Sequence, residues 1–297
     1  MTTAFVLSGG GNRGPLQIGA LQSLLEHGIR PDFFVGTSAG SLNSAFMAGY
    51  GPETATILKL TEAWHTASRD TVYPGNPLTI AWRLLRGADS VFPSDGVRRL
   101  IESNLPPGLT TFGQLRCPCY VTATDLQSRR LYLFGEDPDA SVVEAVMAST
   151  AVPVMHPPVS YYGLQLIDGG IVANTPAGVA MDKGARHIYV VNVSQGTEPW
   201  PPVAGALRIL LRTVDIFMAQ SLFDDLDHAA GDPDIELHHI HITELKEIAF
   251  DDFSRTDEMV AVGKHVADAY LADPHPSYVA PPCAPGGGLH SVPGARE

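Results

Sequence analysis

Cysteine is nearly absent from this chain, with three residues among 297, Cys117, Cys119 and Cys283. A set so sparse and odd in number excludes a disulfide framework, and Cys117-Pro118-Cys119 has no further ligands at zinc-site spacing. Buried thiols are expected instead. Charge is scarce as well: charged residues make up 17% of the chain, against the usual ~25%. No basic run exceeds the pairs Arg98-Arg99 and Arg129-Arg130. With 19 basic and 32 acidic residues and a net charge of −13, a nucleic-acid-binding surface is excluded. The same sign disfavours long-range attraction to an anionic bilayer, while a local apolar patch keeps transient membrane-surface contact open. No apolar stretch reaches the ~18 residues of a membrane span, and the first eight residues hold no basic region of a signal peptide. A cytoplasmic address, at most peripheral to membranes, is the expectation.

What the chain does have is apolar content of 44% and a mean hydropathy of +0.05, which excludes disorder over most of its length. A chain of this size buries roughly 75% of its unfolded surface, so its core needs no metal or disulfide. The 29 glycines and 24 prolines predict many turns. They dominate from Pro274 onward, so the reading is one domain over residues 1–273 followed by a flexible tail at 274–297. No internal repeat is present.

Residues 4–7, Ala-Phe-Val-Leu, read as a short buried strand leading into the loop Gly9-Gly10-Gly11-Asn12-Arg13-Gly14. Pro15 suits the first turn of a helix carrying Ile18, Leu21, Leu24 and Leu25, with Gly28 as its stop. Phe33-Phe34-Val35 is a second strand, running into Gly36-Thr37-Ser38-Ala39-Gly40 and another helix. This βαβ opening implies a parallel sheet and an α/β fold. Helices are expected near 52–67 and 94–104, a Pro/Gly-broken region holding Trp82 between them at 73–93, and strands at 120–124 and 131–134. A hairpin follows around Gly163, then a strand from Ile188 to Val193, and an amphipathic helix over 205–223 after the breaker Pro199–Pro202. The last elements are a strand near 235–242 and a helix near 254–271.

Two motifs carry chemistry. Gly36-Thr37-Ser38-Ala39-Gly40 is Gly-x-Ser-x-Gly between a strand and a helix, the setting of a nucleophile elbow; the plain alternative is a glycine-rich turn. Gly9, Gly11 and Gly14 also fit the dinucleotide fingerprint Gly-x-Gly-x-x-Gly. That reading, a nucleotide-binding oxidoreductase, needs an acidic residue at the end of the second strand. Asp32 lies before the strand, and its end holds Ser38. The alternative places the loop's N–H groups beside Ser38 as an oxyanion hole, which explains both motifs with one geometry. For a base, His239 and His241 fall inside an expected strand and His265 inside a helix. Metal ligation by His238, His239 and His241 is disfavoured, since adjacent strand residues face opposite ways. Asp168, in Ile167-Asp168-Gly169-Gly170, is a further candidate, although taken alone it reads as a turn residue.

The triple-glycine loop with Arg13, the Gly-Thr-Ser-Ala-Gly elbow and the late Asp168-Gly169-Gly170 together resemble the signatures of the patatin-like phospholipases. Ala148-Ser149-x-Ala151-x-Pro153, with Pro157 beyond, is similar to the stretch before Asp-Gly-Gly in that family, and the likeness covers residues 4–195. The resemblance implies a three-layer α/β fold with a parallel-rich central sheet flanked by helices. It implies a Ser38–Asp168 dyad, with Ser38 attacking an ester carbonyl and Asp168 accepting its proton. Gly10 and Gly11, helped by Asn12 or Ala39, would hold the oxyanion, and Arg13 would brace the loop or contact substrate. Asp125 reads as structural. The implied substrate is an acyl lipid of the phospholipase A or lysophospholipase type, with neither metal nor organic cofactor. An inactive lipid-binding protein is the remaining alternative. The 205–223 helix would seal a sheet face or act as a lid.

Overall fold

Successive strand residues point to opposite sheet faces, and β1 (Thr3–Leu7) sends Phe5 and Leu7 into one buried cluster and Ala4 and Val6 into another. Both of its faces are therefore covered, as a strand buried by helices on each side requires. The protein is described by a computed structural model over residues 1–194, 201–245 and 247–274. Residues 275–297 of the expected tail at 274–297, and Pro199 and Trp200 of the expected breaker, lie outside the described residues.

In chain order β1 is followed by α1 (Gly14–Glu26), β2 (Phe33–Gly36), α2 (Ala39–Tyr50), α3 (Thr54–His65), α4 (Arg69–Val72), α5 (Pro77–Leu85) and α6 (Asp95–Asn104). Then come β3 (Cys119–Asp125), β4 (Arg130–Phe134), α7 (Val142–Ser149), β5 (Val159–Tyr161) and β6 (Leu164–Asp168). The chain continues through α8 (Gly170–Ala173), α9 (Ala177–Asp182), β7 (His187–Asn192), α10 (Ala206–Ala230), β8 (Glu236–His241) and α11 (Thr256–Ala272). The sheet runs β5-β6-β3-β2-β1-β7-β8, with β4 also on β3. The pairs from β3 through β8 are parallel, and β4, β5 and β6 add antiparallel pairs at one side. This is the expected parallel-rich sheet between helical layers.

The first layer packs α1, α2, α3, α6, α7 and α11 on the face of Phe5, Phe34 and Val121. Within it α1 and α11 cross closely, because Gly19 and Gly263 leave no side chain at the crossing. A Cβ on Gly263 would lie 1.9 Å from the Leu16 carbonyl oxygen, and one on Gly19 2.0 Å from that of Val260. The second layer sets α9 and the C-terminal half of α10 on Val6, Val35 and Val190, through Ala177, Ala180, Leu222, Leu226 and Ala229. Cys117 and Cys119 are buried and unbridged, and burial pushes the Cys117 thiol up to about 11.

Two expectations are corrected. The broken region contains a helix, α5, because Asn76 caps it: its Oδ1 accepts the N–H groups of Leu78 and Thr79, and the Thr79 hydroxyl accepts the Asn76 N–H. That reciprocal capping box starts a helix directly after Pro74 and Gly75. The helix expected at 205–223 instead continues to Ala230, since Leu226 and Ala229 extend its buried stripe past the charged residues between them. None of the described helices is long and apolar enough to cross a membrane.

Candidate active site

β1 and β2 are parallel neighbours, so the loops leaving them meet at the same edge of the sheet. At the end of β2 the chain turns sharply at Ser38, whose φ of 52° and ψ of −124° place a non-glycine residue in strained, left-handed territory. Such strain is of order 1–3 kcal/mol and persists where surroundings enforce it. Here the enforcement is close packing of glycines. A Cβ on Gly40 would lie 2.2 Å from the Leu7 carbonyl oxygen, and one on Gly36 would lie 2.5 Å from that of Gly40. The elbow thus presses directly on the end of β1. Ser38 also stands at the N-terminus of α2, where the helix dipole favours negative charge.

Asp168 reaches the same place by another route. Gly36 pairs with Val121 of β3, and Asp168, at the end of β6, pairs with Ala123. The aspartate therefore stands two residues beyond Gly36 along β3, level with Ser38. Its side chain is fully buried, and Oδ1 accepts the Gly170 N–H at 2.8 Å. Oδ2 makes no hydrogen bond of ordinary geometry among the described residues. Burial pushes the carboxyl up to about 7, opposed by the Gly170 N–H and by the neighbouring Ser38 hydroxyl, which both favour the ionised form. Gly169 is required because a Cβ there would meet the Thr122 hydroxyl at 2.3 Å. Thr122 in turn shares a 2.6 Å hydrogen bond with the Thr37 hydroxyl, tying the elbow to β3.

The stretch Ala148–Ala151 braces both residues. The Ser149 hydroxyl accepts the Ser38 N–H at 2.8 Å, and the Ala151 carbonyl accepts the Asp168 N–H at 2.9 Å. Ser149→Ala leaves a buried N–H unpaired, so thermal unfolding is expected to show a loss of about 1–3 kcal/mol. An unchanged melting curve would contradict this role.

The glycine loop lies alongside. Gly9 is in contact range of Ser38, a Cβ there meeting the serine Cβ at 3.3 Å, and Gly11, with a φ of 57°, begins a short 3-10 turn. Gly14 opens α1 with Trp64 against it. The Asn12 side-chain amide is engaged, donating to the carbonyls of Ala249 and Asp252 at 2.8 and 2.7 Å. Any part of Asn12 in holding an oxyanion falls to its backbone N–H. Arg13 is buried and donates to the carbonyls of Ile242 and Glu244, both at 3.0 Å, fastening the loop to the end of β8. Its bracing role is thus the one the contacts favour.

Sequence reasoning overlooked Asn174 and Tyr73. Asn174 is buried, its carbonyl accepts the Gly9 N–H at 3.1 Å, and its Oδ1 lies between Gly9 and Gly170. Tyr73 is pushed up to about 12 by burial and by the nearby carboxylates of Asp251 and Asp168. Its only sequence signal is an aromatic in a Pro/Gly-rich segment.

The candidate histidines have other partners. His238 stacks on Tyr189, with ring centroids 4.2 Å apart, and bonds Glu236; His239 contacts Asn192, and His241 contacts the Ser194 carbonyl. Burial drives His239 down to about 3, so its ring is neutral. His265 is exposed on α11. Asp125 accepts the N–H groups of Gln127 and Ser128, closing the β3–β4 turn. Asp32 accepts the Thr3 N–H at the start of β1, at the opposite end of the strand from the glycine loop and out of place for a ribose.

A 203-residue segment is 25% identical to lysophospholipase NTE1 of Scheffersomyces stipitis, covering 66% of this chain and 12% of that protein. An uncharacterised NTE family protein of Mycobacterium tuberculosis is 28% identical over 285 residues, 90% of this chain and 46% of that protein. The chain thus spans less than half the length of either relative. Among solved structures, VipD from Legionella pneumophila aligns with a TM-score of 0.49 and 16% identity, over 91% of this chain and 66% of that one. The model of the family described as patatin-like phospholipase matches residues 5–181. That span contains the glycine loop, the elbow and the Asp-Gly-Gly turn, and this chain belongs to the patatin-like phospholipase family.

Proposed function

We propose that the protein is a serine hydrolase of lipid carboxylic esters, working through Ser38 and Asp168 on a phospholipid or lysophospholipid at a membrane surface. One observation carries the reading: a strained elbow serine faces a fully buried aspartate whose burial lifts it to about 7. A serine hydroxyl is a weak nucleophile without a base, and a carboxylate near 7 is a better proton acceptor than an ordinary one at ~3.9.

In the acylation step the Ser38 Oγ forms a bond to the ester carbonyl carbon while its proton passes to Asp168. The oxyanion is held by N–H groups of Gly10 and Gly11, with Asn12 and Ala39 adjacent, at the positive end of α2. Collapse of the tetrahedral intermediate breaks the carbon–oxygen bond, and Asp168 returns the proton to the leaving alcohol. Water then attacks the acyl-enzyme, giving its proton to Asp168, and the fatty acid departs as Ser38 regains a proton. The chemistry is complete with these side chains. The name of the fungal relative, a lysophospholipase, favours a single-chain phospholipid as the first substrate to try.

The test is release of fatty acid from a lysophosphatidylcholine by wild type and by Ser38→Ala. Turnover by wild type and a loss of roughly 10³-fold or more in the variant is the expected result, in line with removal of a nucleophile. Lipid binding without turnover by the folded wild type would favour an inactive lipid-binding protein.

A further inference from the structure

Large apolar side chains stand exposed on two helices beside the site. On α5, Leu78, Trp82 and Leu85 are 81%, 56% and 85% exposed; on the first half of α10, Ile209, Ile216 and Phe217 are 51–60% exposed. Isolated exposed apolar residues are ordinary, but a contiguous group marks an interaction site. The two helices that carry them are neighbours, because both rest on the same small buried cluster. Ile80 of α5 and Leu211 of α10 pack together with Val91, Phe92 and Met155.

The group borders the catalytic turn. Immediately after Phe217, the Met218 side chain abuts Gly170, and one turn on, the Ser221 hydroxyl donates to the Gly170 carbonyl at 3.0 Å. Tyr73, which belongs to the cluster, feels the Asp168 charge. The first half of α10 thus leads from the exposed patch to the rim of the site, while only its second half seals the sheet.

Charge identifies the occupant. The whole chain carries −13, yet residues 73–88 contain Arg83 and Arg86 and no acid, and residues 206–221 contain Arg208 and Arg212 against Asp215 alone. Arg86 lies over the Trp82 ring, 3.6 Å from its centroid, so a cation and an apolar ring share one surface. Protruding Leu, Trp, Ile and Phe side chains with the exposed Arg86 and Arg208 on the same helices match a fluid apolar layer edged by phosphate headgroups. Tryptophan is at home at that boundary.

We infer that α5 and the first half of α10 form a docking surface for anionic lipid bilayers, which sets the mouth of the Ser38–Asp168 site against the membrane. The link to catalysis rests on the proposed hydrolase reading; the docking does not. The overall acidity of the chain is overridden locally, which a net charge conceals.

The test is co-sedimentation with vesicles of phosphatidylcholine, with and without phosphatidylglycerol, at low salt. Three proteins are compared: wild type, Leu78→Ser/Leu85→Ser, and Arg86→Gln/Arg208→Gln, all four positions being exposed. Each arginine near an anionic surface is worth about fivefold in partitioning, and each inserted leucine more than about tenfold. Wild type is expected to prefer the phosphatidylglycerol vesicles. The leucine pair should weaken binding to both kinds at least about tenfold, and the arginine pair should remove most of the preference. Absence of binding by folded wild type, or binding untouched by both pairs, overturns the inference. So does wild type that self-associates in sedimentation velocity, becomes monomeric with the leucine pair and ignores vesicles, since the surface is then a protein interface. Fluorophosphonate labelling of the same samples separates the two readings. Docking lost with Ser38 labelled rejects the surface alone, and docking kept with Ser38 unlabelled rejects the hydrolase alone.

Discussion

Asp168→Asn is expected to abolish turnover and, at alkaline pH, to make the protein harder to unfold. The first effect is loss of the proton acceptor, worth about 10²–10⁴-fold in kcat. The second follows from burial. The Asp168 carboxyl titrates at about 7 in the folded protein and at ~3.9 when unfolded. Between those values the folded chain holds a proton that the unfolded chain releases. Stability from this group is therefore fully present below about pH 4 and is lost as pH rises through 7. Above that the deficit is about 4 kcal/mol by the same arithmetic. Asparagine remains neutral, keeps an oxygen for the Gly170 N–H and escapes the deficit. Urea unfolding of both proteins should show the variant more stable by a few kcal/mol at pH 8, with the gap closing by pH 4. A gap independent of pH would mean that the buried carboxyl is not the cause. The same ionisation makes activity fall about tenfold per pH unit below 7, since only the carboxylate accepts the serine proton.

Gly40→Ala carries the second large effect. A methyl group at this position would stand 2.2 Å from the Leu7 carbonyl oxygen and 2.6 Å from that of Ser8, both backbone atoms. No side-chain rotation relieves such a contact, so β1 and the elbow must separate. Overpacking alone costs about 1–3 kcal/mol, and displacement of the glycine loop from Ser38 adds a loss of activity. The variant is expected to melt at markedly lower temperature and to lose most turnover even where it folds. Gly163→Ala, at a hairpin tip with open space around it, serves as the comparison; its cost is confined to its φ of 84°. Equal melting temperatures for Gly40→Ala and wild type would contradict the close approach described here.

The βαβ opening was readable from local chemistry. Ala4–Leu7 and Phe33–Val35 are compact apolar runs, each followed within two residues by glycine where a turn needs it, and the structure pairs them in parallel. α5 was hidden because Pro74, Gly75 and Pro77 read as breakers, while its start depends on a side-chain bond from Asn76. α7, Val142–Ser149, has apolar residues without a clear helical face because it is buried on several sides. The role of Ser149 was not legible: a hydrogen bond across 111 residues leaves no trace in local pattern. Asp168 likewise resembles a turn residue until β6 is seen to bring it level with Ser38. Family resemblance, rather than periodicity, supplied that partner. For α10 the sequence allows both a sheet-sealing and a lid role, since an amphipathic stripe says which side is apolar and not what covers it.

The most direct measurement of the central claim is the intact mass of wild type and Ser38→Ala after exposure to a fluorophosphonate, across a pH series. A single adduct on wild type, none on the variant, and a labelling rate that falls in acid through about pH 7 is the result this account predicts. A folded wild type that takes no label, or a Ser38→Ala protein that is labelled as fast as wild type, would contradict it.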